Sequence, residues 1–485
     1  MLWQWMESQR SHTRSPLLIP AASFVYLEAS VVFSTIPILP ATDRDILRKT
    51  VHDAAQPIHG SANDYDSLLV LIGAASVVLL GEASHGTAEF YRSRAQITQR
   101  LICEKGFAAI AVEADWPDAY RVNRFVQGDN TDADLAMSLS GFKRFPTWMW
   151  RNADVLKFLT WLRSYNDSLG QANRIGFYGL DLYSLHASME HVLRYLDDVD
   201  PDAAHRARDR YACFTQFGDD PQRYGHAVRL GIRPSCEDEA VSQLVDLQRN
   251  SLFYSRMDGL AALDRFFDAE QNARVVKDAE QYYRAMFGDS VSSWNLRDRH
   301  MMETFVALYG HLSLRQTPAK LVIWAHNSHV GDARATAMGQ SGEWNIGQLV
   351  RQRYGDDCRS IGFTTYTGTV TAASEWDGQT ERMEVRPSRT DSYEALMHET
   401  GIPAFILNLE KGSLVADALR EPMRERAIGV IYRPESELAS HYFQASLSDQ
   451  FDAVVHFDTT SAVEPLERIA KKTDREPAET FPSGL

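Results

Sequence analysis

Cysteine is scarce and scattered. Cys103, Cys213, Cys236 and Cys358 are the only four in 485 residues. None sits in a Cys-x-x-Cys pair or at a zinc-ligand spacing with histidine, which argues against a zinc ribbon or a thioredoxin-like motif. A reduced, disulfide-free chain of the cytoplasm is the simplest expectation. Positive charge is short as well: 50 Lys and Arg against 65 Asp and Glu leave a formal net charge of −15. Such a chain does not concentrate a phosphate backbone, so no nucleic-acid partner is expected. There is no GxSxG elbow, P-loop, GxGxxG or HExxH. Without a nucleophile motif, a covalent serine or cysteine route has little support. Histidines grouped with carboxylates point instead to direct activation of water.

An uninterrupted apolar run of about 20 residues, the length a spanning helix needs, is also missing. The nearest candidate, residues 17–40, is broken by Pro20 and Glu28 and closed by Pro37 and Pro40. No small-residue cleavage site stands out. No membrane partner is expected, and residues 1–45 read as a poorly ordered extension, such as an upstream start codon would add. Residues 467–485 read as a charged, proline-containing tail that frays.

What is present, from residue 46 to 466, is an alternation of strands and helices. Short apolar runs recur at Val77–Leu80, Ala108–Val112, Ile175–Tyr178, Leu321–Trp324, Ser360–Thr364, Ala404–Leu407, Ile428–Tyr432 and Ala453–Phe457. Residues 89–105 are helical in pattern, with Thr87 as N-cap and Gly106 as C-cap; residues 152–164 follow the same logic with Asn152 as N-cap. Residues 186–315 show no convincing strand and read as a helical insertion. The expected fold is α/β: a central, mostly parallel sheet flanked by helices, with the insertion covering the C-terminal ends of the strands.

Four of these strands end in groups able to do acid–base chemistry. The first gives Glu82 and His85, the second Glu113 and Asp115, the third Asp181, the fourth His326 and His329. Ligands of open α/β sheets bind beyond the carboxyl ends of the strands, so parallel strands would bring all four sets to one crevice. The glycines at 81 and 86 would let the backbone turn sharply between them. Each residue also has a structural alternative as a cap, a turn residue or a satisfied loop histidine. Arg94 lies about two turns into the next helix, on the order of 10 Å from its start, within reach of the carboxylates or of a substrate oxyanion. Trp148 and Trp150 precede a helix and are candidates for lining an apolar pocket; Trp161 reads as core. Arg297 and Asp298 are either a substrate-binding pair or a brace in the helical region.

The motifs "LLGEASHGTAEF", "GF..I.VEAD" and "WAHNSHVGD", together with "WMWRN", "NLRDRHM" and "HYFQASLSDQFDAVVHFDTTSAVEPL", resemble the erythromycin esterase family over residues 60 to 465. The resemblance implies hydrolysis of a lactone or ester by water, with the first-motif histidine as base. It places the active site on Glu82, His85, Arg94, Glu113, His326 and His329. The expected mechanism has His85 taking a proton from water, Glu82 or Glu113 orienting it, and Arg94 and His326 serving the oxyanion or the leaving alkoxide. His329, Trp148, Asp115, Arg297 and Asp298 are the expected substrate contacts. A small-molecule ester or lactone is the expected partner, with macrolides and antibiotic resistance the family's best-known context; the late segment looks more like the family's broad environmental branch. No cofactor is expected. A divalent metal held by the same His/Glu cluster is the first alternative, and a non-catalytic small-molecule binder the second.

Overall fold

The computed structural model describes residues 41–218, 220–254, 259–288, 290–315 and 318–467. The expected extension lies outside them except for residues 41–45, and the expected tail except for residue 467. Contacts divide the chain into two units, 1–47 and 48–485. Of the first, only residues 41–47 are described, within the helix Ala41–Ala54. Everything below concerns the second.

The sheet is assembled around Val77–Leu80, here β2, after the two-residue β1 (Gln56–Pro57). All four β2 residues are buried, as an apolar run flanked on both faces should be. Around it stand β3 (Ala109–Asp115), β4 (Gly176–Asp181), β5 (Leu321–Trp324), β6 (Cys358–Ala372), β7 (Glu381–Val385), β8 (Ala404–Asn408) and β11 (Ala453–Thr460). Their order is β1-β8-β11-β6-β2-β5-β3-β4, with β7 paired to β6. The six strands from β11 to β4 are mutually parallel; β1, β7 and β8 join antiparallel. A separate antiparallel ribbon pairs β9 (Met423–Arg426) with β10 (Tyr442–Ala445).

The helix Ala88–Lys105 buries Phe90, Ile97, Leu101 and Ile102 and stops at Gly106, whose φ of 72° supplies the left-handed C-cap. Asn152 caps the helix Ala153–Asp167 by accepting from the Val155 N–H at 2.9 Å. Thr87 stands at its N-cap position without a side-chain cap bond; its hydroxyl meets Ser84 instead. The insertion is helical throughout its described residues, from Leu185–Val199 to Ser290–Ser313, and has its own apolar core.

Three expectations need correction. Ile428–Tyr432 is no strand: Ile428 makes an isolated parallel bridge to Ser84 and Ile431 another to Ala373, residues past the ends of β2 and β6, so the segment meets two neighbouring strands beyond their ends and forms a ladder with neither. Cys213 and Cys236 form a disulfide, with Cα atoms 6.1 Å apart. The helix Pro221–Arg229 between them folds the chain back, a closeness no spacing rule reports. Gly81 and Gly86 are absent from the residues with positive φ. Their need for glycine is close approach: a Cβ at Gly81 would meet Asn327 Oδ1 at 2.1 Å, and one at Gly86 would meet the Thr371 carbonyl oxygen at 1.9 Å.

Candidate active site

The first corner is the loop after β2. Glu82 Oε1 lies 3.0 Å from His85 Nδ1, and Arg94 Nη2 donates to Glu82 Oε2 at 2.6 Å. Arg94 is fully buried, its guanidinium 4.5 Å from the Tyr91 ring centre and 5.0 Å from that of Trp324. It braces Glu82 from behind, and the expected reach to a substrate oxyanion is not what the structure shows. The Glu82 bond assigns the ring proton to His85 Nδ1 and leaves Nε2 as the acceptor. His85 Nε2 lies 4.0 Å from Glu113 Oε1.

Glu113, at the end of β3, joins the corners. Arg297 Nη2 donates to its Oε1 at 2.8 Å, and the His326 backbone N–H to its Oε2 at 2.8 Å. Burial pushes this carboxyl up, but His329, His85, Arg297 and the His326 N–H outweigh it and hold Glu113 well below the usual carboxylate range. Arg297 reaches in from the helix Ser290–Ser313 and also grips Asp181 with both Nε and Nη2, at 3.0 and 2.7 Å. Arg297 and Asp298 do not pair with each other. Asp298 accepts from His329 Nδ1 at 2.9 Å and from the Ile346 N–H at 2.8 Å. His329 is stacked on Trp294, ring centres 4.4 Å apart; Asp298 and Glu113 draw its pKa upward against burial.

His326 stands behind His85, ring centres 4.9 Å apart. The Ser328 N–H donates to its Nδ1 at 3.2 Å. Burial, with His85 adding to it, pushes His326 well below the ordinary histidine value, so it is neutral. Neither it nor His329 forms part of the cavity wall. Their backbone and rings position Glu113 and His85, and the expected direct contact of His326 with a leaving group is corrected accordingly.

The cavity itself is small, about 90 Å³, room for a handful of water molecules and well below the roughly 300–1,000 Å³ of a pocket for a drug-sized ligand. Its polar wall holds His85, Glu113, Asp115, Asp181 and Arg297, joined by Asp118, Arg144 and Tyr183; Phe142, Phe145, Met149, Trp150, Trp376 and Val430 make up much of its apolar wall. Asp115 is bound by Arg144 and by the Tyr183 N–H at 2.9 Å, and burial raises its pKa. Trp148 is a correction: it packs in the apolar core outside the cavity wall, and of the two loop tryptophans it is Trp150 that lines the cavity, its Nε1 donating to the Glu113 carbonyl at 3.2 Å. Both were eligible because residues two apart in an irregular loop carry no period that tells inside from outside. A second cavity of about 1180 Å³ adjoins the first, sharing Asp118, Arg144 and Tyr183 with it. None of these three is among the residues expected from the sequence. Asp118 carries a signal, one helical turn beyond Asp115; Arg144 has none beyond a basic residue before Phe-Pro.

Behind the site, Glu425 of β9 is fully buried and receives the Asn327 amide at 3.4 Å. Burial, reinforced by Glu394, pushes its carboxyl up to about 8. A buried acid with a raised pKa keeps its proton in the fold while the unfolded chain loses it, so wild-type stability falls as pH rises from the unfolded value near 4.5 to about 8. Glu425→Gln removes that slope. Relative to wild type the variant should gain up to about 1.4 kcal/mol per pH unit across this window, read by urea denaturation at pH 5 and 8. An equal difference at both pH values would refute the assignment.

Among the described residues, no group of three or more His, Cys, Asp or Glu side chains is arranged to hold a metal ion, and no helix is long and apolar enough to cross a membrane. A succinoglycan biosynthesis protein of known crystal structure shares the fold at a TM-score of 0.71, with 20% identity, covering 88% of this chain and all of that one. A mutant erythromycin esterase in its open conformation superposes at 0.61, with 18% identity over 85% of this chain and 98% of its own. In sequence, the erythromycin esterase type II of Escherichia coli is 24% identical over 326 residues, 64% of this chain and 74% of that protein. The profile of the erythromycin esterase family matches residues 102–460, which takes in every strand of the parallel core but β2, and the chain belongs to that family.

Proposed function

We propose that the protein hydrolyses a carboxylic ester or lactone by water that His85 activates, without an acyl-enzyme. The observation that carries this reading is the Arg94–Glu82–His85 relay, which holds the imidazole in one tautomer with Nε2 available to a cavity of water size. Glu82 stabilises the imidazolium that forms when His85 takes the water's proton. Arg297 and Arg144, which line the same cavity, are placed to meet the negative charge that develops on the carbonyl oxygen. Glu113 and Asp181 keep Arg297 oriented. Pockets for drug-sized ligands run to about 300–1,000 Å³, so the inner cavity takes only the reacting ester, and the adjoining groove takes the bulk of the substrate. The name of the E. coli relative makes a macrolide lactone the first substrate to try.

Mass spectrometry of wild type and His85→Ala, each incubated with macrolides, simpler lactones and alkyl esters, tests the reading. The expected result is a gain of one water by at least one substrate with wild type, reduced about 10²–10⁴-fold in the variant. A His85→Ala protein as fast as wild type would sink it. Retention of full activity after chelation and demonstrated metal removal is expected; loss restored by added metal would transfer the role to a cation.

A further inference from the structure

We propose that Asp118 is the acid that protonates the departing alcohol, acting at the junction between the inner cavity and the large groove. This rests on the ester-hydrolysis reading above and goes beyond it by naming a second proton-transfer group.

Only Asp118, Arg144 and Tyr183 line both cavities. If the scissile carbonyl sits in the inner cavity and the bulk of the substrate in the groove, the bond to be broken crosses this junction. Of the three residues there, the arginine cannot give up its proton at working pH, and burial raises the Tyr183 hydroxyl well above its ordinary value. The carboxyl of Asp118 is the group that can both hold a proton and release it.

Every other carboxylate of the cavity wall is held: Glu113 by Arg297 and the His326 N–H, Asp181 by Arg297, Asp115 by Arg144 and the Tyr183 N–H. Among the described residues the Asp118 side chain makes no hydrogen bond or ion pair, although it is the third residue of the helix Trp116–Val126 and only half-buried. A structural aspartate in that place would be expected to cap or pair. The charges that face it are Asp115 from β3, Lys143 and Arg144 from the loop before Phe145, and Arg121 from its own helix. Burial first, and Asp115 second, raise its pKa to about 7 against the pull of the three cations. It therefore carries a proton over the lower part of the neutral range.

The step balances. His85 takes a proton from water as the water oxygen bonds to the carbonyl carbon. The tetrahedral oxyanion then collapses, the acyl carbon–oxygen bond breaks, and the leaving oxygen takes its proton from Asp118. Exchange with solvent returns the proton of His85 to Asp118 and leaves the acid and the alcohol as products.

The test is a leaving-group series: esters of one acid with alcohols from p-nitrophenol to an alkyl alcohol, hydrolysed by wild type, Asp118→Asn and Asp118→Ser. A good leaving group needs little help from an acid, so both variants should lose far less on the p-nitrophenyl ester than on the alkyl ester. They should lose about 10²-fold on the alkyl ester, the size of a general-acid contribution. Wild-type turnover of the alkyl ester should fall as pH rises through about 7, and that limb should be missing in both variants. Equal losses on both esters, or none on either, would overturn the role of Asp118 while leaving the esterase reading standing. A wild type inert on the whole series would overturn the esterase reading and this one with it.

Discussion

Glu82→Gln should lower kcat for ester hydrolysis on the order of 10⁴-fold, the scale seen when a neutral amide replaces the carboxylate that orients a catalytic imidazole. Glutamine keeps the size of the side chain but can offer its amide N–H to His85 Nδ1. The ring then protonates at Nε2, the atom that must accept the water's proton. The same substitution leaves Arg94, fully buried and bonded to Glu82 at 2.6 Å, without its anion. Breaking a buried ion pair on one side costs about 3–5 kcal/mol. The double variant Glu82→Gln/Arg94→Met separates the two effects: stability should recover while kcat stays low. If kcat of Glu82→Gln remains within tenfold of wild type, Glu82 does not govern the tautomer of His85.

Arg297→Met should cost a similar 3–5 kcal/mol or more, because one guanidinium neutralises both Glu113 and Asp181 in the buried site. The pH dependence identifies the cause. Glu113 is held below its ordinary value, so it contributes stability above an unfolded pKa of about 4.5 that is lost as pH falls through the folded value. Without Arg297 its folded pKa rises, and at low pH both the variant and the unfolded chain hold the proton. The destabilisation should therefore be largest near pH 7 and shrink toward pH 4, as read by urea denaturation. A penalty that is equal or larger at pH 4 would assign the effect to lost packing.

The parallel core and most corners of the site were legible because both follow from local pattern. Val77–Leu80 and Leu321–Trp324 are runs of four buried residues with the bounds their apolarity sets, and each is followed within five residues by the polar group it delivers. What escaped depends on where distant segments meet. Arg94, His326, His329 and Asp298 were expected at the substrate and stand one layer behind the cavity wall, since spacing says which crevice a side chain joins and not its depth there. Met423–Arg426 pairs as a strand through backbone bonds, yet its Met-Arg-Glu-Arg text has no apolar run. The eight residues by which β6 runs on past Thr364 are a threonine-rich stretch without the apolar run that marks the other core strands. Family resemblance recovered the identity of the positioning residues; only geometry separated them from the cavity wall.

The place of β2 in the sheet bears on how the protein is made. Its two neighbours are β5 and β6, so Val77–Leu80 waits for Leu321–Trp324 and Cys358–Ile361 before either edge is paired. Those residues are synthesised some 240 to 280 positions later, a delay of roughly 10–60 s at about 5–20 residues per second. Through that interval the ribosome presents a bare apolar strand with the Glu82–His85 loop attached to it and no floor beneath. The helical insertion accounts for much of that wait, and it emerges before β5 and β6, the two partners of β2. A nascent chain halted before residue 321 would carry the whole insertion and every polar residue of the inner cavity wall, yet neither strand that pairs β2, and so no assembled site.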